Sequence, residues 1–290
     1  MPFFHQISHR PTLSFEFFPP REESGLEHVQ AQILELAVAK PDLVTVTHGA
    51  AGGARELSKK LVHYIASKTS LEICPHLTCA GHSKAELDAL ILEFQNAGIK
   101  QVLALRGDPA AGDKEFKPHF DGYSCARDLV KRIAASSPLK VAVAGYPEVH
   151  KEALSKDADL KYLREKVDAG AQIIITQLFF EEDVYFSFVE DARQYGITVP
   201  ILPGIMPISN ASQLKRFTNL CGATIPQRIV NKLTELSEDS KGIINFGIDE
   251  GIRLCTKLLE GGAPGIHLYT LNKTVQILPI VNGLSKYYSR

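Results

Sequence analysis

The sequence has no surplus of charge of either sign: 32 lysines and arginines face 33 aspartates and glutamates, a formal net charge of −1. Nucleic acid and anionic membrane surfaces are therefore not expected partners. It has no low-complexity tract and no apolar run approaching the roughly 20 residues of a membrane span. Met1–Arg10 lacks the apolar segment of a secretory signal. A cytoplasmic location is the expectation. The five cysteines, Cys74, Cys79, Cys125, Cys221 and Cys255, are odd in number and widely spaced, which argues against a disulfide framework. Cys74, His76, Cys79 and His82 fit no standard zinc spacing, and no metal is expected. Neither G-x-S-x-G nor H-E-x-x-H occurs, so hydrolase chemistry lacks a nucleophile or a metal. With so few reactive groups, a cofactor is expected to carry the hard chemistry.

What is present is ordered alternation. Eight short apolar runs, Leu13–Phe18, Leu43–Thr47, Glu72–Leu77, Gln101–Leu105, Lys140–Ala144, Gln172–Gln177, Val199–Pro203 and Gly265–Thr270, read as strands buried on both faces. Helical periodicity fills the intervals, as in Ser83–Ala97, Asp157–Ala169 and Asp183–Tyr195. Ser83 and Glu86 predict a capping box, and Ser209 or Asn210 a helix start. Gly98, Gly170 and Gly262 each close a helix just before a strand, as repeated β-α units require. The interval Ile225–Leu259 is too long for one crossover and predicts an extra helix, Gln227–Leu236, before a main one, Lys241–Leu259.

Eight such units most simply close into a (β/α)8 barrel, here expected as one domain over residues 1–290 with an extra helix before the last unit. The alternative is an open doubly wound sheet. It should show G-x-G-x-x-G after its first strand, which instead ends in Phe17-Phe-Pro-Pro20; Gly49-Ala-Ala-Gly52-Gly53 follows the second strand and does not match.

Barrel active sites lie at the C-terminal strand ends. There the sequence places Glu16, Thr47 with His48, His76, Arg106-Gly107-Asp108, Tyr146 to His150, Gln177 and Tyr269 to Lys273. Glu16, flanked by Phe15, Phe17 and Phe18, is expected to be desolvated, with its pKa raised into the range of a general acid; it could equally be a structural partner of an arginine such as Arg106. Arg106 can fork onto phosphate or carboxylate, and Gly107 admits close backbone approach, but a salt-bridged turn reads the same way. Gln177 suits the polar edge of a pterin or flavin as well as it suits a loop cap.

Taken in order, several stretches resemble the methylenetetrahydrofolate reductase family: Ser14-Phe-Glu-Phe-Phe-Pro-Pro20, Val44-Thr-Val-Thr47, Pro75-His-Leu-Thr-Cys79, Ala104-Leu-Arg-Gly-Asp108, Tyr146-Pro-Glu-Val-His150, Lys166-Val-Asp-Ala-Gly-Ala171, Ile175-Thr-Gln177, Pro203-Gly-Ile205 and Tyr269-Thr-Leu-Asn272. The resemblance implies a relay in which NADH or NADPH reduces bound FAD, leaves, and is replaced by methylenetetrahydrofolate, which is reduced to methyltetrahydrofolate. Glu16 matches the family's general acid and Asp108 the aspartate near flavin and pterin. Gln177, Gln213, Phe217 and Lys273 match substrate-binding positions. Thr47, His48, Ala50, His76, Leu105, Arg106, Gly107, Asp108, Tyr146, His150, Asp159 and Lys166 match FAD-binding positions.

Three positions depart from the family pattern. His48 stands where many bacterial members have tyrosine, Lys273 where arginine is common, and Cys125 where tyrosine is usual, with Tyr123 two residues away. The resemblance also implies a homo-oligomer. Two other readings stay open: a different flavin oxidoreductase on a barrel, such as a proline dehydrogenase-like enzyme, and a non-catalytic folate- or flavin-binding protein. Retention of Glu16, Asp108 and Gln177 together argues against the latter.

Overall fold

The computed structural model describes residues 3–49, 53–109, 112–113 and 115–288. After a short helix α1 (Phe3–Gln6), parallel strands alternate with helices: β1 (Thr12–Phe17), α2 (Leu26–Ala37), β2 (Leu43–Val46), α3 (Gly53–Lys68), β3 (Ile73–Thr78), α4 (Lys84–Asn96), β4 (Gln101–Leu105), α5 (Ala126–Ser136), β5 (Lys140–Gly145), α6 (Lys156–Asp168), β6 (Ile173–Thr176) and α7 (Glu182–Gln194). Then follow β7 (Ile201–Leu202), β8 (Gly204–Ile205), α8 (Ala211–Cys221), α9 (Gln227–Glu235), α10 (Ser240–Glu260), β9 (Gly265–Tyr269), α11 (Thr274–Gly283) and α12 (Ser285–Tyr288). The (β/α)8 barrel expected from the alternation is formed. The strand order is β7-β6-β5-β4-β3-β2-β1-β9-β8, all parallel.

The seventh strand differs from expectation. Instead of ending at Pro203 it passes through it in two pieces, β7 pairing with β6 and β8 with β9. Proline has no N–H to give a ladder, so the strand breaks there. Its carbonyl still accepts the His267 amide at 2.9 Å, and the chain running through Pro203 closes the barrel. Between this strand and β9 lie the two helices expected from Gln227–Leu236 and Lys241–Leu259, within a residue or two at each end, together with α8.

Two-residue strand periodicity separates two apolar layers. Phe15, Phe17, Val44, Val46, Leu77, Val102, Val141, Val143 and Ile174 pack outward with the helices. Leu43, Cys74, Leu103, Ala142, Ile173, Ile175 and Leu202 pack inside with Phe3 and Ile7, which carry α1 against the strands' N-terminal side. The Phe3 amide donates to the Glu72 carboxylate at 3.1 Å; sequence reasoning had not assigned this segment. Truncating the fully buried Phe15 to alanine would cost about 3–5 kcal/mol, the usual range for a core phenylalanine.

The helix starts are fixed as the sequence predicts. Ser83 and Glu86 form a reciprocal capping box on α4. Asn210, rather than Ser209, caps α8, its carboxamide oxygen accepting from the Ser212 and Gln213 amides at 2.8 and 3.1 Å. No described helix is long and apolar enough to cross a membrane.

Candidate active site

The inner face of the barrel is divided. Strands β4 to β7 turn Leu103, Ala142, Ile173, Ile175 and Leu202 inward, whereas β1, β2, β3 and β9 carry the buried polar residues Ser14, Glu16, Thr45, His76 and His267. Glu16 is 6% exposed. Its phenylalanine neighbours do not desolvate it, because alternation sends Phe15 and Phe17 to the opposite face, into the core beneath the helices. The barrel interior does. Three groups converge on one oxygen, Oε2: His76 Nε2 at 3.2 Å, His267 Nε2 at 3.5 Å and the Thr45 hydroxyl at 3.4 Å.

Both ring nitrogens are buried without a well-directed hydrogen bond, so attraction in this cluster is chiefly between charges. Burial pushes the Glu16 carboxyl up, but the two imidazoles outweigh it and hold Glu16 at about 2. The expectation of a raised pKa is thus corrected. The flanking phenylalanines made burial visible in the sequence; the two histidines, 60 and more residues away, did not advertise themselves as its neighbours.

Beside this cluster, His48 and His82 approach edge-on, Nε2 to Nε2 at 3.4 Å. His82 Nδ1 lies 3.2 Å from the Thr78 carbonyl, which can only accept, so Nδ1 carries that ring's proton. Burial first, then the neighbouring His82, Arg55 and His76, push His48 down to about 3. Burial and Arg55 also lower His82. Thr47, next along, is anchored through its backbone, its amide on Phe17 and its carbonyl receiving the Ser58 hydroxyl at 2.7 Å. Ala50 lies outside the described residues.

A second, cationic group forms at the ends of β4 and β5. Arg106 follows Leu105 out of β4 and forks onto Glu152, Nη2 to Oε1 at 2.8 Å, with its guanidinium 4.8 Å from the Phe116 ring centre. The Glu152 hydrogen bonds raise its pKa further. Gly107 has φ +85°, and a Cβ there would meet the Ala80 Cβ at 2.6 Å, so the turn that aims Asp108 toward the rim requires glycine. Tyr146 and His150 meet edge to face at 4.5 Å. The His150 amide donates to Asp159 at 3.0 Å. Burial, then the Asp159 and Asp108 charges, push Tyr146 up to about 12, and burial pushes His150 down.

Lys166 on α6 is 5% exposed and donates to the Ala144 carbonyl at 2.6 Å. Burial, opposed by Asp159, brings its pKa down to about 8. A buried ammonium bonded to one neutral carbonyl is a costly group that an anion would relieve.

The third group sits where β8 and β9 end. Gln213 and Lys273 line neighbouring hollows that share Pro207, Ser209 and Leu271. Ser209 donates to the Gln213 carboxamide oxygen at 2.9 Å. Phe217 packs in a small apolar cluster with Tyr269, Leu271 and Leu178. The Gln177 side chain folds back so that its oxygen accepts the Leu178 amide at 2.9 Å. Tyr269 bonds the Thr176 carbonyl at 2.6 Å and faces both Glu16 and Tyr146, which links the three groups.

Sequence reasoning missed Ser14 as a side chain of its own, Thr45, His267, His82 and Glu152. The first three could have been found by extending strand alternation inward from Glu16. Glu152 lies in a loop, and no sequence signal pairs it with Arg106.

Comparison with known proteins places this geometry. The family model described as methylenetetrahydrofolate reductase matches residues 4–285. A rice protein, probable methylenetetrahydrofolate reductase (NADH), is 37% identical over 286 residues, covering 95% of this chain and 48% of its own. The 5,10-methylenetetrahydrofolate reductase of Escherichia coli K12 is 35% identical over 281 residues, covering 96% of this chain and 92% of its own. This chain thus spans about half the length of the plant and yeast relatives and about nine-tenths that of the bacterial ones. Among solved structures, a Clostridium thermocellum protein that binds two copies of 5-methyl-5,6,7,8-tetrahydrofolic acid superposes with a TM-score of 0.66 over all of both chains at 15% identity. The dihydropteroate synthase of Vibrio fischeri does so with a TM-score of 0.53, over 97% of this chain and 94% of its own, at 13% identity; these two likenesses are of fold. Together with the family match over nearly the whole length, the relatives show that the chain belongs to the methylenetetrahydrofolate reductase family.

Proposed function

We propose that this chain reduces 5,10-methylenetetrahydrofolate to 5-methyltetrahydrofolate, with FAD as resident cofactor and NADH or NADPH as donor, in two half-reactions that use the same site in turn. The observation that carries the reading is the buried Glu16, set among imidazoles at the strand ends beside a cationic rim, in a chain of this family. The rice relative is named for NADH, which favours that donor. The bacterial relatives' similar length supports a single catalytic unit over residues 1–290.

The residues fit a flavin dinucleotide. Lys166 is a buried ammonium whose one hydrogen bond among the described residues goes to a neutral carbonyl, Arg106 is a second cation on the same rim, and Gly107 leaves its backbone bare for close approach. Arg106, Lys166, His150 and Asp159 would hold the dinucleotide, with Thr47, His48, His76, Leu105, Gly107, Asp108 and Tyr146 around its ring end; Ala50 is assigned to the cofactor by the family resemblance alone. When bound, the flavin supplies hydride transfer in both directions.

The chain's own residues do the rest. Glu16 would deliver the proton to the nitrogen that departs as the folate's five-membered ring opens. Asp108 places a negative charge near the resulting cation. Gln177 offers both edges of an amide to the pterin, and Gln213, Phe217 and Lys273 surround the remainder of the substrate. Ser14, Glu16, Thr45, His76 and His267 keep the proton-bearing side chains together on β1, β2, β3 and β9.

The test is an anaerobic spectrum of the FAD-loaded protein. Yellow absorbance that bleaches with NADH and returns with methylenetetrahydrofolate is the expected result. Bleaching without return removes the folate assignment, and failure to bind either FAD or FMN removes the flavin.

A further inference from the structure

We propose that His267 is a positioning residue that holds the site's proton against Glu16, through a chain Ser14–His267–Glu16 laid across β1 and β9; the inference deepens the reductase reading and rests on it. The register pairs Ser14 directly with His267, and Glu16 follows two residues on, on the same inward face. Ser14 Oγ is 2.8 Å from His267 Nδ1, and His267 Nε2 is 3.5 Å from Glu16 Oε2. His267 is fully buried and has no place among the residues assigned to flavin or folate.

The chemistry of the partners sets where protons go. The Ser14 hydroxyl also lies 3.4 Å from the Ile266 carbonyl. It can therefore turn its own proton to that carbonyl and accept Nδ1–H from the ring. With Nδ1 so occupied, Nε2 and Oε2 would be two lone pairs facing each other unless a proton lies between them. That proton can sit on nitrogen or on oxygen without disturbing Nδ1, so the His267–Glu16 pair holds one proton in either form.

Neither Tyr269 nor Cys74 competes for this proton. Tyr269 meets its ring edge-on at 5.2 Å and spends its hydroxyl on Thr176. Cys74 is an un-ionised thiol, its pKa pushed up chiefly by burial. His76 Nε2 reaches the same carboxylate oxygen at 3.2 Å and shares it with His267. No described residue bonds Glu16 Oε1, which leaves that oxygen for substrate.

A carboxyl held at about 2 is by itself a poor proton donor at neutral pH. A proton held on His267, whose Nε2 is 3.5 Å from Oε2, removes the difficulty. In the transfer, the N–H bond at His267 Nε2 breaks as an O–H bond forms on Glu16; that O–H bond then breaks as the proton passes to the departing nitrogen, where a new N–H bond forms. The pair passes from neutral overall to singly negative, and water restores the proton after product leaves.

The experiment uses the FAD-loaded protein, stopped-flow measurement of both half-reactions across the neutral pH range, and ¹⁵N-imidazole NMR, with the variants His267→Gln, Ser14→Ala and Glu16→Gln. The NMR signal of His267 Nε2 should be that of a nitrogen sharing a proton with Glu16, and it should change in Glu16→Gln. His267→Gln should slow the folate half-reaction about tenfold or more and move its high-pH decline to lower pH, with flavin reduction by NADH within about twofold of wild type. Ser14→Ala should give a smaller shift in the same direction, which keeps the test open if His267→Gln fails to fold. A wild-type pH profile in both variants, or a His267 Nε2 signal that does not respond to Glu16→Gln, overturns the proposal. If wild type reduces its flavin but never reoxidises it with folate, the reductase reading falls, and the NMR result alone decides the proton's place.

Discussion

Replacing Lys166 with methionine is expected to stabilise the ligand-free protein while removing flavin binding. The ammonium is 5% exposed and its pKa falls from 10.5 to about 8, through burial only partly offset by Asp159. That difference corresponds to about 3 kcal/mol of folded-state penalty on the charged form. Methionine keeps most of the apolar stem but gives up the hydrogen bond to the Ala144 carbonyl, a loss of about 1 kcal/mol. The net gain at neutral pH is about 2 kcal/mol, or about 3 °C in Tm for a chain of this size.

The sign depends on pH in a defined way. Because the folded pKa lies below the unfolded one, the penalty is complete below about pH 8 and shrinks as pH rises from there towards 10.5. Urea unfolding of flavin-free protein should therefore show the variant ahead at neutral pH and the advantage gone at the alkaline end of that window. Adding FAD should raise the midpoint of wild type and not that of the variant. A variant less stable than wild type at neutral pH, or an advantage independent of pH, would refute the energetic argument; equal FAD affinity in both proteins would remove Lys166 from the binding site.

Other outcomes follow from single contacts. Glu16→Gln should leave flavin reduction by NADH largely intact and slow the folate half-reaction by about 10²–10⁴ in single-turnover kinetics; equal losses in both halves would contradict the assigned role. Gly107→Ala places a methyl 2.6 Å from the Ala80 Cβ at φ +85° and should cost about 1–3 kcal/mol in denaturant unfolding while weakening FAD binding by titration. Asn210→Ala removes the cap of α8, which carries Gln213 and Phe217. It should cost about 1 kcal/mol and raise the KM for folate more than it lowers kcat; an unchanged KM would show that α8 does not position substrate.

Much of the architecture is written locally. Apolar runs such as Gln101–Leu105 and Ile173–Thr176, the capping box at Ser83 and the glycines that close α4, α6 and α10 are decided by neighbours within a turn or two, so they were legible in the chain. The same holds for the rim positions of Glu16, Arg106 and Gln177, since a residue at the end of a parallel strand must face the barrel's active end. The ordered motifs added the family and, with it, an expected role for each rim residue.

Other features depended on tertiary structure because they join distant residues. Pro203 splits a strand only once β6 and β9 stand on either side of it. Glu16 could be read as buried, but the direction of its pKa turned on His76 and His267, which the sheet register, not sequence spacing, brings to one oxygen. Arg106 chose Glu152, and Lys166 a strand carbonyl, across loops with no pairing code. Sequence by itself determined the elements, the barrel and the chemical inventory of its rim. Only closure of the barrel decided which charges meet, because Coulomb interactions and desolvation depend on through-space distance, while local sequence pattern reaches only a few residues.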